Sequence, residues 1–225
     1  VKQGYELDRL LDFFGLAERL KGELRHSWTS RRDRRESVAE HTWMMSLMAL
    51  VLMSEADLDV DPLKVLKMVV IHDLPEAVAG DAPFRGTADS LREKHRREEE
   101  ALEALLSLVE NREVRDEMEV LWREFEECES AEAKFVRAID TLDVSLQHMI
   151  ADLSTWDDDD FAWTLSPIQE RRFDSSGVLR QLKDRANARI IAKVEAGGAM
   201  SRLPQEDLRR WTSRTAGDSG EDERK

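Results

Sequence analysis

Residues 68–81 read M-V-V-I-H-D-L-P-E-A-V-A-G-D. Four apolar residues run directly into His72 and Asp73, and two more acids, Glu76 and Asp81, follow. An unpaired charge at the end of an apolar run is costly, so this imidazole and carboxylate need partners. Asp61-Pro62 opens the segment as a helix, with proline suited to the first turn, and Leu63, Leu66, Val69 and Val70 supply its apolar positions. Pro75 disfavours α geometry at Leu74. The helix is therefore expected to break after His72-Asp73 and to turn through Glu76 to Gly80, with a loop marked by Pro83 and Gly86 beyond.

Upstream, S-V-A-E at 37–40 is a capping box ahead of an apolar run. It predicts a helix to about Met53 with His41 in its first turns. Residues 23–36 are polar and arginine-rich without a period and read as a loop, while Tyr5 to Lys21 places Leu7, Leu10, Leu11 and Phe14 at helical spacing. Charged amphipathic helices are expected over 90–110 and 112–128. Ser130 is placed to cap a helix from 131 to about 153, with Phe135, Ile139, Leu142, Leu146 and Met149 as its apolar stripe. W-D-D-D-D at 156–160 reads as a solvated acidic loop, and a final helix is expected at 177–196. Beyond Gly197 the chain turns polar, and a disordered tail is expected over 197–225. No long stretch alternates with period two, so the fold class is all-α.

Composition narrows the function. The 225 residues are 41% hydrophobic and 36% charged, with only 5 Pro and 10 Gly, which suits long helices. Cys128 is the only cysteine, so no internal disulfide forms, and a cytoplasmic setting is expected. The first residues, V-K-Q-G-Y-E-L-D-R-L, lack the apolar core of a signal peptide. The longest apolar stretch, Trp43 to Met53, is too short to span a bilayer. A net charge of −14 repels nucleic acid, yet one metal ion and a few arginines can reverse the potential locally for a small phosphorylated substrate. G-x-S-x-G and P-loop motifs are absent, and Cys128 has no nearby His or second Cys.

Of five histidines, His41 and His72 sit on strongly apolar helices. Imidazole and carboxylate together suit borderline to hard divalent metals, and His41 with His72-Asp73 supplies three ligands. Asp140, in A-K-F-V-R-A-I-D-T-L-D, is the best fourth, with Asp143 a rival on nearly the same face. Two His and two Asp leave coordination positions open for a phosphate oxygen and a water. Glu76 is placed to orient that water or to supply a proton. Arg31, Arg32, Arg34 and Arg35 precede the first ligand helix, either as a solvated loop or as charge for a phosphoryl group.

The set His41, His72-Asp73, Asp140 resembles the H…HD…D pattern of the HD-domain metal-dependent phosphohydrolases. S-V-A-E-H, I-H-D-x-x-E-A-x-x-G-D, E-K-H-R-R-E-E-E-A at 93–101 and S-A-E-A-K-F-V-R-A-I-D resemble its 5′-deoxynucleotidase branch, over about residues 5–195. Pro75 departs from the pattern, standing where a small residue is expected. The resemblance implies a single HD-domain helical bundle over 1–196. It implies a divalent metal (Mn, Co, Mg, Fe or Zn) held by His41, His72, Asp73 and Asp140, with a catalytic or second-metal role for Glu76 and Asp81. It also implies substrate contacts from Arg25 and Trp28 of R-H-S-W, and a homodimer. The implied reaction is hydrolysis of deoxynucleoside 5′-monophosphates to nucleoside and phosphate. The alternatives are another HD chemistry on dNTPs, cyclic nucleotides or ppGpp, or a non-catalytic helical interaction protein with a structural metal. The partner is thus a small-molecule nucleotide, with neither nucleic acid nor membrane.

Overall fold

The computed structural model of the chain describes residues 4–55, 58–82 and 88–218. Helix α1 (Gly4–Ala17) runs through a 3₁₀ turn at Glu18–Lys21 into an antiparallel ribbon, β1 (Leu24–Trp28) and β2 (Arg35–Ser37). Helices α2 (Val38–Leu52), α3 (Pro62–Ile71) and the short α4 (Glu76–Ala79) follow, then α5 (Ala88–Leu106), α6 (Arg112–Glu127) and α7 (Ala131–Ile150). The chain closes with α8 (Asp158–Thr164), α9 (Pro167–Arg171), α10 (Gly177–Ala196) and α11 (Gln205–Asp218). The fold is all-α, with that ribbon as the one sheet among the described residues.

Helix α7 is the axis of the bundle. It packs against α2, α3, α6 and α10, and Phe135, Val136, Ala138 and Ile139 are fully buried on it. Burial of each large side chain contributes about 1.5–3 kcal/mol, so the helix that carries Asp140 is firmly held. The capping box at Ser37 forms as expected: the Ser37 hydroxyl accepts from the Glu40 N–H (3.3 Å), and the Ser37 N–H donates to the Glu40 carboxylate (2.9 Å). The Asp61 carboxylate caps α3 by accepting from the Leu63 (2.9 Å) and Lys64 (3.2 Å) amides. These two caps set where α2 and α3 begin, and with that where His41 and His72 end up.

Four expectations change. Residues 23–36 form most of the ribbon, not a loop. Its inward positions include Arg25 and the buried Glu36, so the apolar alternation that signals a strand is missing. In α1 the buried side chain is Phe13, packed with Leu16, Ala17 and Leu20, while Leu7, Leu11 and Phe14 are exposed. The acids at 157–160 start α8: Asp157 accepts from the Asp159 (2.9 Å) and Asp160 (3.2 Å) amides, a favourable place for negative charge, and Asp160 is buried. The expected tail is helical as far as Asp218. Helix α11 is tied down by polar contacts, with Trp211 Nε1 donating to Asp184 (3.3 Å) and Arg214 pairing with Asp184 (2.7 Å) and Glu170 (3.1 Å). Such polar docking leaves no apolar run in the sequence. The loop expected at Pro83 and Gly86, and residues 219–225, lie outside the described residues.

Candidate metal centre

His41 comes from the second turn of α2, His72 caps the C-terminal end of α3, Asp73 follows it, and Asp140 faces them from α7. The two imidazole centroids are 5.6 Å apart. His41 Nε2 lies 3.4 Å from Asp140 Oδ1 and 3.7 Å from Asp73 Oδ2, and His72 Nε2 lies 3.0 Å from Asp73 Oδ2. One donor atom each from His41, His72 and Asp140 falls within 4.8 Å of the others. Asp140, far along the chain, is thus turned inward, and the four expected side chains converge.

The outer nitrogens decide what this cluster can hold. His41 Nδ1–H donates to the Asp143 carboxylate (2.7 Å) and His72 Nδ1–H to the Val69 carbonyl (2.8 Å). Those acceptors fix the tautomers and leave a lone pair on each Nε2. Both Nε2 atoms are buried without a hydrogen-bond partner, and both face carboxylate oxygens. Lone pairs pointing at carboxylates at these distances call for a positive charge between them. A histidine tied back through its other nitrogen is also the usual arrangement around a bound metal. The donor set therefore fits a divalent cation. Asp143, the rival fourth ligand, instead supports His41 from behind.

The same preference for positive charge shows in the titration of the cluster. Burial and the Arg25 charge push His41 down, but the surrounding carboxylates of Asp140, Asp143 and Asp73 outweigh them and raise it to about 9. Burial raises Asp140, yet His41, Arg172 and Arg137 bring it well below the usual carboxylate range. Burial, then the charges of Asp73 and Asp81, push Glu76 up to about 10, against Lys94 at 3.7 Å. Burial also raises Asp81.

Three guanidiniums surround Asp140: Arg25 Nη2 at 4.0 Å, Arg137 Nη1 at 4.0 Å and Arg172 Nη1 at 3.9 Å. Arg25 also donates to Asp73 (3.1 Å). Arg137 is held by the Phe125 carbonyl, by Glu126 (both 3.2 Å) and by the Phe125 ring 3.7 Å from its Cζ. Arg172 donates to Thr141 (2.7 Å). A cavity of about 280 Å³ opens onto this group. Asp73, Glu76, Asp81 and Asp140 line it with Arg25 and Lys94, and Arg137, His148, Trp163, Gln169 and Arg172 form further wall.

Pro75 does not divert the chain from Glu76. With φ −57° and ψ −27° it enters the first turn of α4, and Glu76 is 4% exposed. Gly80 has φ +77°, a conformation that favours glycine, and the Asp81 N–H beyond it donates to Glu23 (2.9 Å). Trp28 is not among the residues that line the cavity, and Arg35 Cζ stands 5.9 Å from its ring. His26 and Ser27 line the cavity in its place, with His26 Nε2 3.3 Å from both Asp157 and Asp160. Arg32 pairs with Asp152 and Arg34 with Glu40, away from the cavity. Sequence reasoning missed Arg137, Arg172, Lys94 and Glu36. Arg137 was accessible to it, one helical turn before Asp140.

The HD domain family model matches residues 17–174. The chain belongs to the HD-domain family. It is similar to the 5′-deoxynucleotidase HDDC2 of Homo sapiens, 38% identical over 148 residues that cover 64% of this chain and 69% of that protein. The 5′-deoxynucleotidase HDDC2 of Danio rerio is 36% identical over 143 residues, 63% of this chain and 68% of that protein. Among solved structures it resembles a "Predicted metal-dependent phosphohydrolase" from Magnetospirillum magnetotacticum MS-1. That match has TM-score 0.73 and 29% identity, and covers 88% of this chain and 95% of that one. HD-domain phosphohydrolases are metal-dependent, and no helix among the described residues is long and apolar enough to cross a membrane.

Proposed function

We propose that this HD-domain protein is a metal-dependent phosphomonoesterase that hydrolyses deoxynucleoside 5′-monophosphates to nucleoside and phosphate. The observation that carries the reading is the pair of buried, unpartnered Nε2 atoms of His41 and His72, aimed at Asp73 and Asp140 beside three arginines. The relatives named 5′-deoxynucleotidase give the substrate class. In this reading His41, His72, Asp73 and Asp140 hold the ion, which is Mn, Co, Fe, Mg or Zn. When bound, it supplies Lewis-acid polarisation of a phosphoryl oxygen and acidification of water.

The chain's own residues do the rest. Arg25, Arg137 and Arg172 bind and orient the phosphate and offset the charge that builds on it. Glu76, whose burial favours its protonated form, gives a proton from its carboxyl to the 5′ oxygen as the P–O5′ bond breaks. Water contributes the new oxygen on phosphorus, and its proton leaves to solvent or to Asp81. The cavity of about 280 Å³ sits at the small end of ligand sites, matching a mononucleotide. We include in the same proposal a homodimer and a cytoplasmic setting. Trp43, Leu47, Leu50 and Val51 form an exposed apolar stripe along α2, and Cys128 is the only cysteine. The mass in solution tests the dimer.

A substrate panel tests the function. With equal concentrations of dAMP, AMP, cyclic AMP, dATP and ppGpp, phosphate release is expected to be fastest from the 5′-monophosphates, with dAMP leading. Faster turnover of dATP, with pyrophosphate or triphosphate as product, would overturn it.

A further inference from the structure

Behind the arginines of the catalytic cavity lies a second recess. Helix α6 ends at Cys128, which has φ 53°, and the chain turns back into α7 opposite the end of α9. The space between, about 460 Å³, is lined by Lys134 and Arg137 of α7 and by Arg171 and Arg172, with Asp174, Ser175 and Cys128 completing the wall. Four cations face one carboxylate there, and Asp174 is already paired with Arg180. This reversal occurs in a chain with 48 acidic and 34 basic residues.

Elsewhere arginines are matched to acids: Arg34 with Glu40, Arg96 with Glu93 and Glu100, Arg123 with Glu99 and Glu119. Lys134 and Arg171 make no side-chain hydrogen bond or ion pair among the described residues, and both are exposed. Lys134 and Arg137 lie one helical turn apart on α7, so their side chains share a face. Arg137 and Arg172 line both the recess and the catalytic cavity, and each has one nitrogen near Asp140 Oδ2. A guanidinium offers five donors in a fork that matches phosphate oxygens, so two of them can be shared between anions on either side.

We propose that this recess is a second oxyanion site, adjoining the catalytic one, that takes a phosphate group. The source is either inorganic phosphate or the phosphates of a nucleoside triphosphate. Because it shares Arg137 and Arg172 with the catalytic cavity, an anion in the recess weakens binding of the nucleotide phosphate in the cavity. Two like charges divide the same pair of cations. The recess goes beyond the proposed hydrolysis and stands without it, whereas its effect on the nucleotide phosphate rests on that reading of the cavity.

Isothermal titration of the metal-free full chain, at constant ionic strength, with inorganic phosphate and separately with dATP, tests the site. The proteins compared are wild type, Lys134→Glu/Arg171→Glu and Lys134→Gln/Arg171→Gln. A control pair, Arg19→Glu/Lys21→Glu, carries the same change in net charge far from the recess. Affinity is expected to fall about tenfold or more in the Glu pair, to fall partway in the Gln pair, and to stay near wild type in the control. A loss for both ligands identifies the phosphate group alone as the occupant, and a loss for dATP only identifies the polyphosphate. Turnover of dAMP by the metal-loaded Glu pair without added anion is expected to stay within about twofold of wild type, as for exposed sites away from the chemistry. Unchanged affinity for both ligands, or an equal loss in the control pair, overturns the proposal. Should the Glu pair misfold, the Gln pair carries the test. A wild-type chain that binds phosphate in the recess yet leaves dAMP intact would refute the hydrolysis and leave the site standing.

Discussion

Replacing Asp143 by Asn separates support of a metal ligand from ligation itself. Asp143 is fully buried, its Oδ2 accepts from His41 Nδ1–H at 2.7 Å, and its Oδ1 has no partner. Asparagine keeps an acceptor oxygen in place, so the His41 ring retains its orientation. What disappears is the negative charge that strengthens His41 Nε2 as a donor. Loss of such an outer partner typically costs 10–100-fold in metal affinity, or about 1.4–2.8 kcal/mol. Fold stability should change less, because a compensating gain lies next door. Burial and then the Asp143 charge hold the Glu36 carboxyl up at about 7, and removing that charge relieves it. Asp143→Ala, in contrast, strands the buried His41 Nδ1–H and should cost about 1–3 kcal/mol of folding free energy. Competition with a chromogenic chelator reads the metal affinity, and phosphate release against metal concentration reads the consequence. Asp143→Asn is expected to reach the wild-type maximal rate at a metal concentration about 10–100-fold higher. Unchanged metal affinity, or a rate that excess metal does not restore, would refute the supporting role.

Two further outcomes follow from the same geometry. Glu76→Ala should keep its metal and substrate affinity while kcat falls by about 10²–10⁴, the range of acid–base groups; single-turnover rates near wild type would remove Glu76 from the mechanism. Glu36 sets a pH dependence of stability: between its ordinary 4.5 and about 7 the folded chain keeps a proton that the unfolded chain releases, so stability falls as pH rises through that window. The slope for one proton is at most about 1.4 kcal/mol per pH unit, and Glu36→Gln should flatten it in denaturant titrations across that range.

The four converging residues were legible to different degrees. The capping box placed His41 and the Asp61-Pro62 start placed His72-Asp73, while the apolar neighbours of Asp140 made it only the better of two candidates, with Asp143 its rival. The ribbon was not legible, since its inward positions are an arginine and a glutamate and a strand is usually read from apolar alternation. Helix α11 escaped for a related reason: Asp184 and Glu170, on other helices, hold it through Trp211 and Arg214. Trp28 had no local signal of its own: the resemblance alone offered it as a substrate contact, and it is not among the residues that line the cavity. Arg172, between α9 and α10, reaches Asp140 only because α10 packs against α7, which no short window of sequence contains.

Phosphate release from dAMP, measured on one preparation before chelation, after it, and after reloading with a divalent transition metal, tests the central claim most directly. Release should vanish in the metal-free protein and return on reloading, and Asp140→Ala carried through the same cycle should bind no metal and release nothing at any stage. Undiminished phosphate release by the metal-free protein would contradict the account.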